Sequence, residues 1–253
     1  GVTILVAQQL GLGPAVCIFM TLALGVAVGF FNGFFVAKMK TNSFLLTMSS
    51  QIVMRGLVLF LVPFSLAGLD KGYTFLGRGR IGSLQIAILA LIVIYIIFEF
   101  VFHKTVFGRK FALTGGNRRD DYISGINTDR VIICAFVLAG LLSAVAGLVT
   151  AGRQNAVSIR VGEGMVMMAF AGAILGGCSF NGGMGKPVGM LGGTLLLGMI
   201  DNALNLNGVD VNLVSATKGG LIFLAIILDR LRFKMSADIM HKENMRKLVQ
   251  SNS

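Results

Sequence analysis

Apolar runs about as long as a lipid bilayer is thick dominate the chain. A helix crosses roughly 30 Å of hydrocarbon in about 20 residues, and seven segments of this kind lie at 15–37, 43–66, 83–102, 131–151, 164–179, 188–206 and 211–228, after an apolar stretch at 1–12. Lipid offers no partner to a backbone N–H or C=O, so each run must close its hydrogen bonds on itself, which a helix does and an open sheet does not. The expectation is an all-α, polytopic membrane bundle of about seven spans. It forms one transmembrane domain over residues 1–253, with a loop at 103–130 and a tail at 229–253. A composition of 55% hydrophobic and only 13% charged residues departs from that of soluble domains in the same direction.

Charge then orients the spans. If they alternate, residues 38–42, 103–130, 180–187 and 229–253 share one side and carry 15 Lys and Arg, whereas the opposite loops carry Lys71, Arg78, Arg80, Arg153 and Arg160. The positive-inside rule makes the first side cytoplasmic. The net charge of +11 is therefore a topology signal. The basic residues sit in short segments between apolar runs, without the basic, aromatic-rich face that nucleic acid binding uses, so nucleic acid is excluded as a partner.

The segment at 164–179 is short for a crossing. A return to its own side would put the basic tail outside, so it is read as a short span. No basic n-region or cleavage site precedes the first apolar run, and the chain opens on Gly1-Val2-Thr3 without a Met. An N-terminal part of the natural protein is therefore expected to be absent. Cys17, Cys134 and Cys178 lie in or beside apolar runs without metal-ligand spacing, and read as packing residues.

In the 103–130 loop, Gly115 and Gly116 break the chain, Asn117 suits a helix cap, Asp120 and Asp121 suit the first turns, and Gly125 suits the end. Residues 118–124 thus read as a two-turn helix outside the membrane. Within the spans, small residues recur every four positions: Gly25, Gly29 and Gly33; Ser143, Gly147 and Ala151; Gly172 and Gly176; Gly189 and Gly193. Such stripes let helix backbones approach closely.

Polar groups in spans face a bundle interior or a water-filled path. Here they are Asn32, Thr47, Ser49, Gln51, Arg55, Asp201, Asn202, Asn205 and Lys218. Amides offer both donors and acceptors to hydroxyl groups, which makes Asn32, Gln51, Asn202 and Asn205 the candidates for lining a solute path. Interhelical hydrogen bonding is the competing role for each. Asp201 is the obvious carboxylate for Arg55 or Lys218 to pair with.

Only Glu99 and Asp201 are acidic within the spans, so the chain has no acidic relay for proton-driven transport. Nor does it carry a P-loop: Lys186 follows Gly185, but Pro187 and Phe180 break the pattern. No nucleophile–base pair or metal-ligand set is evident, so an enzyme is not expected. Active transport requires a partner that hydrolyses nucleotide.

The block LGGCSFNGGMGKPVGMLGGTLLLGMIDNALNLNGV at 175–209 resembles the signature of the ABC sugar-importer permeases of the ribose, xylose, arabinose and galactose type. Gly108-Arg109, Gly115-Gly116-Asn117 and Ser124-Gly125-Ile126-Asn127 follow the same family's order in the loop. Asn32-Gly33, Val36-Ala37-Lys38 and Arg55-Gly56 extend the similarity toward the N-terminus.

The resemblance implies an ABC importer permease fold with about ten spans and a bacterial inner-membrane location. It further implies a second permease subunit in a homodimer or heterodimer, cytoplasmic ABC ATPase subunits that bind ATP and Mg, and a periplasmic sugar-binding protein. No cofactor would be bound by this chain. Asn117, Arg118, Arg119, Asp120, Asp121, Tyr122, Ile123, Ser124 and Gly125 would couple the spans to the ATPase. Alternatives left open are an ion-gradient-driven carrier or channel, and a permease for a nucleoside, an autoinducer or a branched-chain amino acid.

Overall fold

A computed structural model describes residues 13–61, 66–67, 69, 71–82, 84–116, 127–157, 162, 164–179, 182, 185–210, 212–221 and 223–227. The chain divides into two compact units, Gly1–Val161 and Gly162–Ser253. Among the described residues five helices are long and apolar enough to cross a membrane.

In the first unit these are α1 (Pro14–Lys38), α2 (Ser43–Leu61), α4 (Ile86–Lys104) and α6 (Thr128–Gln154), joined by the shorter α3 (Lys71–Arg78) and α5 (Val106–Gly116). Pro14 opens α1 at a position where a missing N–H is harmless. Asn127 caps α6 by accepting a hydrogen bond from the Arg130 amide. Two antiparallel pairs of two-residue strands, β1 (Leu66–Ala67) with β4 (Ala156–Val157) and β2 (Arg80–Ile81) with β3 (Leu84–Gln85), lie in the connections and not in the spans.

Glycine brings α1 and α6 together. A Cβ on Gly25 would lie 2.6 Å from the Gly140 carbonyl oxygen and 2.7 Å from Ala144 Cβ. One on Gly29 would run into the Phe136 carbonyl, and one on Gly33 would come within 3.0 Å of Ile133 Cα. The partners run backwards as the glycines run forwards, so the helices are antiparallel. The α1 stripe therefore does what its spacing indicates, but its counterpart on α6 is Gly140 and Ala144. Gly147 faces open space, and Ser143 is exposed and bonds back to Ala139.

The ends of this pair agree with alternating spans. Lys38 Nζ meets Asp129 at 3.0 Å where α1 ends and α6 begins. At the other end, Arg78 Nε donates to the Arg153 carbonyl at 3.0 Å. Residues 38–42 thus share a side with the start of α6, and 71–80 share the other with its end. A small buried cluster of Cys17, Leu69 and Ala151 closes that second end.

Two helices, α3 and α5, lie in segments read as loop. In α5, the rings of Phe107 and Phe111 meet one turn apart at a tilt, and Phe111 packs edge-on against Phe102 of α4, so this helix folds back on the span before it. Near the start of α2, Asn42 accepts from the Phe44 amide. Further along, Ser50 Oγ donates to Asn32 Oδ1 at 2.6 Å, and Asn32 is only 8% exposed.

The second unit contains α7 (Met165–Leu175), α8 (Pro187–Leu206) and α9 (Asn212–Ile227). A Cβ on Gly176 would press on Gly189 and come within 2.6 Å of Met190 Cα, while one on Gly193 would strike the Gly172 carbonyl. The two small pairs foreseen at 172/176 and 189/193 are thus one antiparallel interface.

Eleven residues make α7 about 16 Å long, half the hydrocarbon thickness. As a helix alone it does not cross, so seven full spans are not confirmed. Apolar sequence between glycines sets its hydrophobicity but not its length: Gly164 sits before it in the left-handed region, and Gly176-Gly177 end it with amides that return to Gly172 and Ile174.

Two outcomes follow for the purified protein in detergent. Gly29→Ala, which forces a methyl onto the α6 backbone, is expected to lower unfolding free energy by about 1–3 kcal/mol, whereas Gly147→Ala leaves the melting temperature unchanged or slightly raised. A double-mutant cycle on Asn32→Ala and Ser50→Ala is expected to give a coupling of about 0.6 kcal/mol, the usual scale for a hydrogen bond between membrane helices. Additive effects would remove that bond from the fold.

Candidate functional site

Polar side chains within the spans fall into two groups, one in each unit. In the first unit, Asn32 accepts a hydrogen bond from Ser50 of α2, an interhelical contact of the kind expected of an in-span amide. Gln51, next to Ser50, is exposed.

Gln51 also belongs to a longer pattern. Ser43, Thr47, Gln51 and Arg55 recur every fourth residue along α2, so they follow one another down one side of the helix with a drift of about 40° per step. Thr47 satisfies its hydroxyl on the Ser43 carbonyl at 2.9 Å. No residue of α2 is buried within the unit. An apolar helix tolerates such exposure in lipid; the exposed amide of Gln51 requires water or another protein surface. The sequence had singled out three of these four residues, and the four-residue spacing that joins them to Ser43 was legible there.

In the second unit, Asp201 is the organising group. Lys218 Nζ stands 2.8 Å from its Oδ1, with the two side chains 40% and 27% exposed respectively. Lys218, one of the two cations offered as partners, pairs with it. Asn205 Nδ2 donates to the Asp201 carbonyl at 2.7 Å and approaches the carboxylate at 3.4 Å. Asn205 therefore steadies the helix around Asp201, while Asn202 is exposed on the same helix. On insertion scales an unpaired Asp or Lys at mid-membrane costs about 2.5–3.5 kcal/mol. Direct pairing offsets much of that for both.

At the edge of α4, Glu99 and His103 lie one turn apart with 3.0 Å between Oε1 and Nδ1, which accounts for the second in-span acid. The segment singled out for coupling, Asn117 to Gly125, lies outside the described residues, as does the basic tail.

Comparison with known proteins gives these groups a context. The chain is 35% identical to the ribose import permease protein RbsC of Bacillus subtilis (strain 168) over 223 residues, 87% of this chain and 69% of that protein. It is 32% identical to the L-arabinose transport system permease protein AraH of Escherichia coli (strain K12) over 235 residues, 88% of this chain and 72% of the other. The ribose import permease protein of Escherichia coli (strain K12) is 31% identical over 221 residues, 85% and 68% of the two chains. No solved structure matches. Residues 1–228 match the family model described as branched-chain amino acid transport system / permease component. With apolar helices, paired intramembrane charges and a family match over nearly its whole length, the chain belongs to this family of permease components.

Proposed function

We propose that this chain is the membrane-spanning permease subunit of an ATP-driven importer in a bacterial inner membrane, and that its solute is a sugar of the ribose or arabinose kind. The observation that carries the reading is the similarity to ribose and arabinose permeases over more than four-fifths of this chain. The energy source follows from chemistry the chain lacks. Without a phosphate-binding loop it takes its power from cytoplasmic ABC ATPase subunits, which hold ATP and Mg, and its sugar from a periplasmic binding protein.

The α2 stripe supports a paired architecture. The amide of Gln51, which its own unit leaves exposed, is satisfied if a second permease subunit, identical or related, stands opposite with a watery path between. Gln51 then lines that path, while Asn32 holds α2 in place. Residues 117–125 serve as the contact with the ATPase, on the strength of their cap and glycine pattern and their position on the basic side of the membrane. Closure of the ATPase pair on nucleotide would be passed through this segment to the spans.

The family description favours a second solute class, branched-chain amino acids. Reconstitution of the complete importer in proteoliposomes separates the two. ATP-dependent uptake of ribose or arabinose, and not of leucine, is the expected outcome. Leucine uptake without sugar uptake would replace the sugar, and sugar uptake that persists without ATP would remove the importer reading altogether. Gln51→Leu is expected to slow uptake at least tenfold with assembly retained. Gly125→Pro is expected to abolish sugar-stimulated ATP hydrolysis while the permease still inserts.

A further inference from the structure

The second unit forms an open-sided cavity of about 310 Å³ among α7, α8 and α9, at the small end of the range for small-molecule sites, about 300–1,000 Å³. Its walls are mainly aliphatic and thioether groups, including Met167, Met168, Leu197 and Ile200, and into them opens the Asp201–Lys218 pair. We propose that this cavity is an intramembrane binding site for one neutral monosaccharide, with Asp201 and Lys218 reading two adjacent hydroxyls. The proposal rests on the importer reading above.

A carboxylate only accepts hydrogen bonds and an ammonium only donates them, whereas a hydroxyl does both. The 2.8 Å contact between the pair engages one of three ammonium protons, and with the 3.4 Å approach of Asn205 Nδ2 it takes up two of about four carboxylate lone pairs, both on Oδ1. A strong donor and a strong acceptor are thus left side by side, at a spacing that suits neighbouring hydroxyls on a sugar ring. One hydroxyl donates to Asp201 while its neighbour accepts from Lys218, and the ion pair stays closed. The C–H faces of the ring rest on the methionine and leucine walls.

A zwitterionic amino acid would have to open the pair to match each charge separately, and a net anion or cation finds no surplus charge to balance it.

The test uses the permease–ATPase complex in nanodiscs, with saturation-transfer NMR on D-ribose, L-arabinose and L-leucine as probes and ATP-driven uptake by the same complex, with its binding protein, in liposomes. Saturation transfer to a sugar and not to leucine is expected. It should fall at least tenfold in the double variant Asp201→Leu/Lys218→Leu, in which replacing both partners with apolar groups of similar size preserves folding. Met167→Trp fills the cavity while leaving the pair intact, and it is expected to remove the signal independently of how the double variant folds. Wild-type uptake combined with undiminished saturation transfer in Met167→Trp, or with preferential transfer to leucine, overturns this site and leaves the importer standing. Absence of ATP-driven sugar uptake by the wild type overturns both.

Discussion

Everything in this structure follows from the absence of water around its apolar runs. In hydrocarbon a peptide group has no external partner, so the chain must satisfy it within a helix. Because lipid tails are as apolar as leucine, helices gain nothing by hiding hydrophobic side chains from the membrane. The core of α1 against α6 is accordingly thin in large side chains, and phenylalanines 30, 31 and 34 stay exposed. What holds the helices is backbone proximity, created where Gly25, Gly29 and Gly33 meet Gly140, Phe136 and Ile133.

That reliance on close contact explains how the two units resemble one another. Gly172 and Gly176 against Gly189 and Gly193 repeat the device in a hairpin with a much shorter first arm. Polar groups then have few places to go. They bridge helices, as Ser50 and Asn32 do; they pair, as Asp201 and Lys218 do; or they stand on a face that the unit leaves open, as Gln51 does.

The spans were legible because hydrophobicity and length are the constraint itself; the boundaries at 14–38, 128–154 and 187–206 fall within about three residues of those read from apolar runs. That residues 38–42 and 71–80 lie at opposite ends of the first unit was legible from the alternation of apolar runs, and the Lys38–Asp129 and Arg78–Arg153 contacts agree with it. Register was not. Four-residue spacing fits both Ser143–Gly147 and Gly140–Ala144, and only the rotation of α6 selects the second. Nor does any sequence pattern join Ser50 to Asn32, eighteen positions apart. Short helices such as α3 and α5 escaped because their apolar faces are a few residues wide. The pairing of Lys218 with Asp201 needed the fold, since nothing in the sequence ties a cation on one helix to a carboxylate on another.

The Asp201–Lys218 pair has an electrical consequence. A lone charge moved through the full membrane potential gains or loses about 2.3 kcal/mol per 100 mV, enough to bias a conformational change. Two opposite charges held 2.8 Å apart move together as a dipole with no net charge. Rearrangements that carry α8 and α9 as a body therefore extract almost no work from the transmembrane voltage through this pair. Through this pair, depolarisation of the membrane would leave such a rearrangement unaffected.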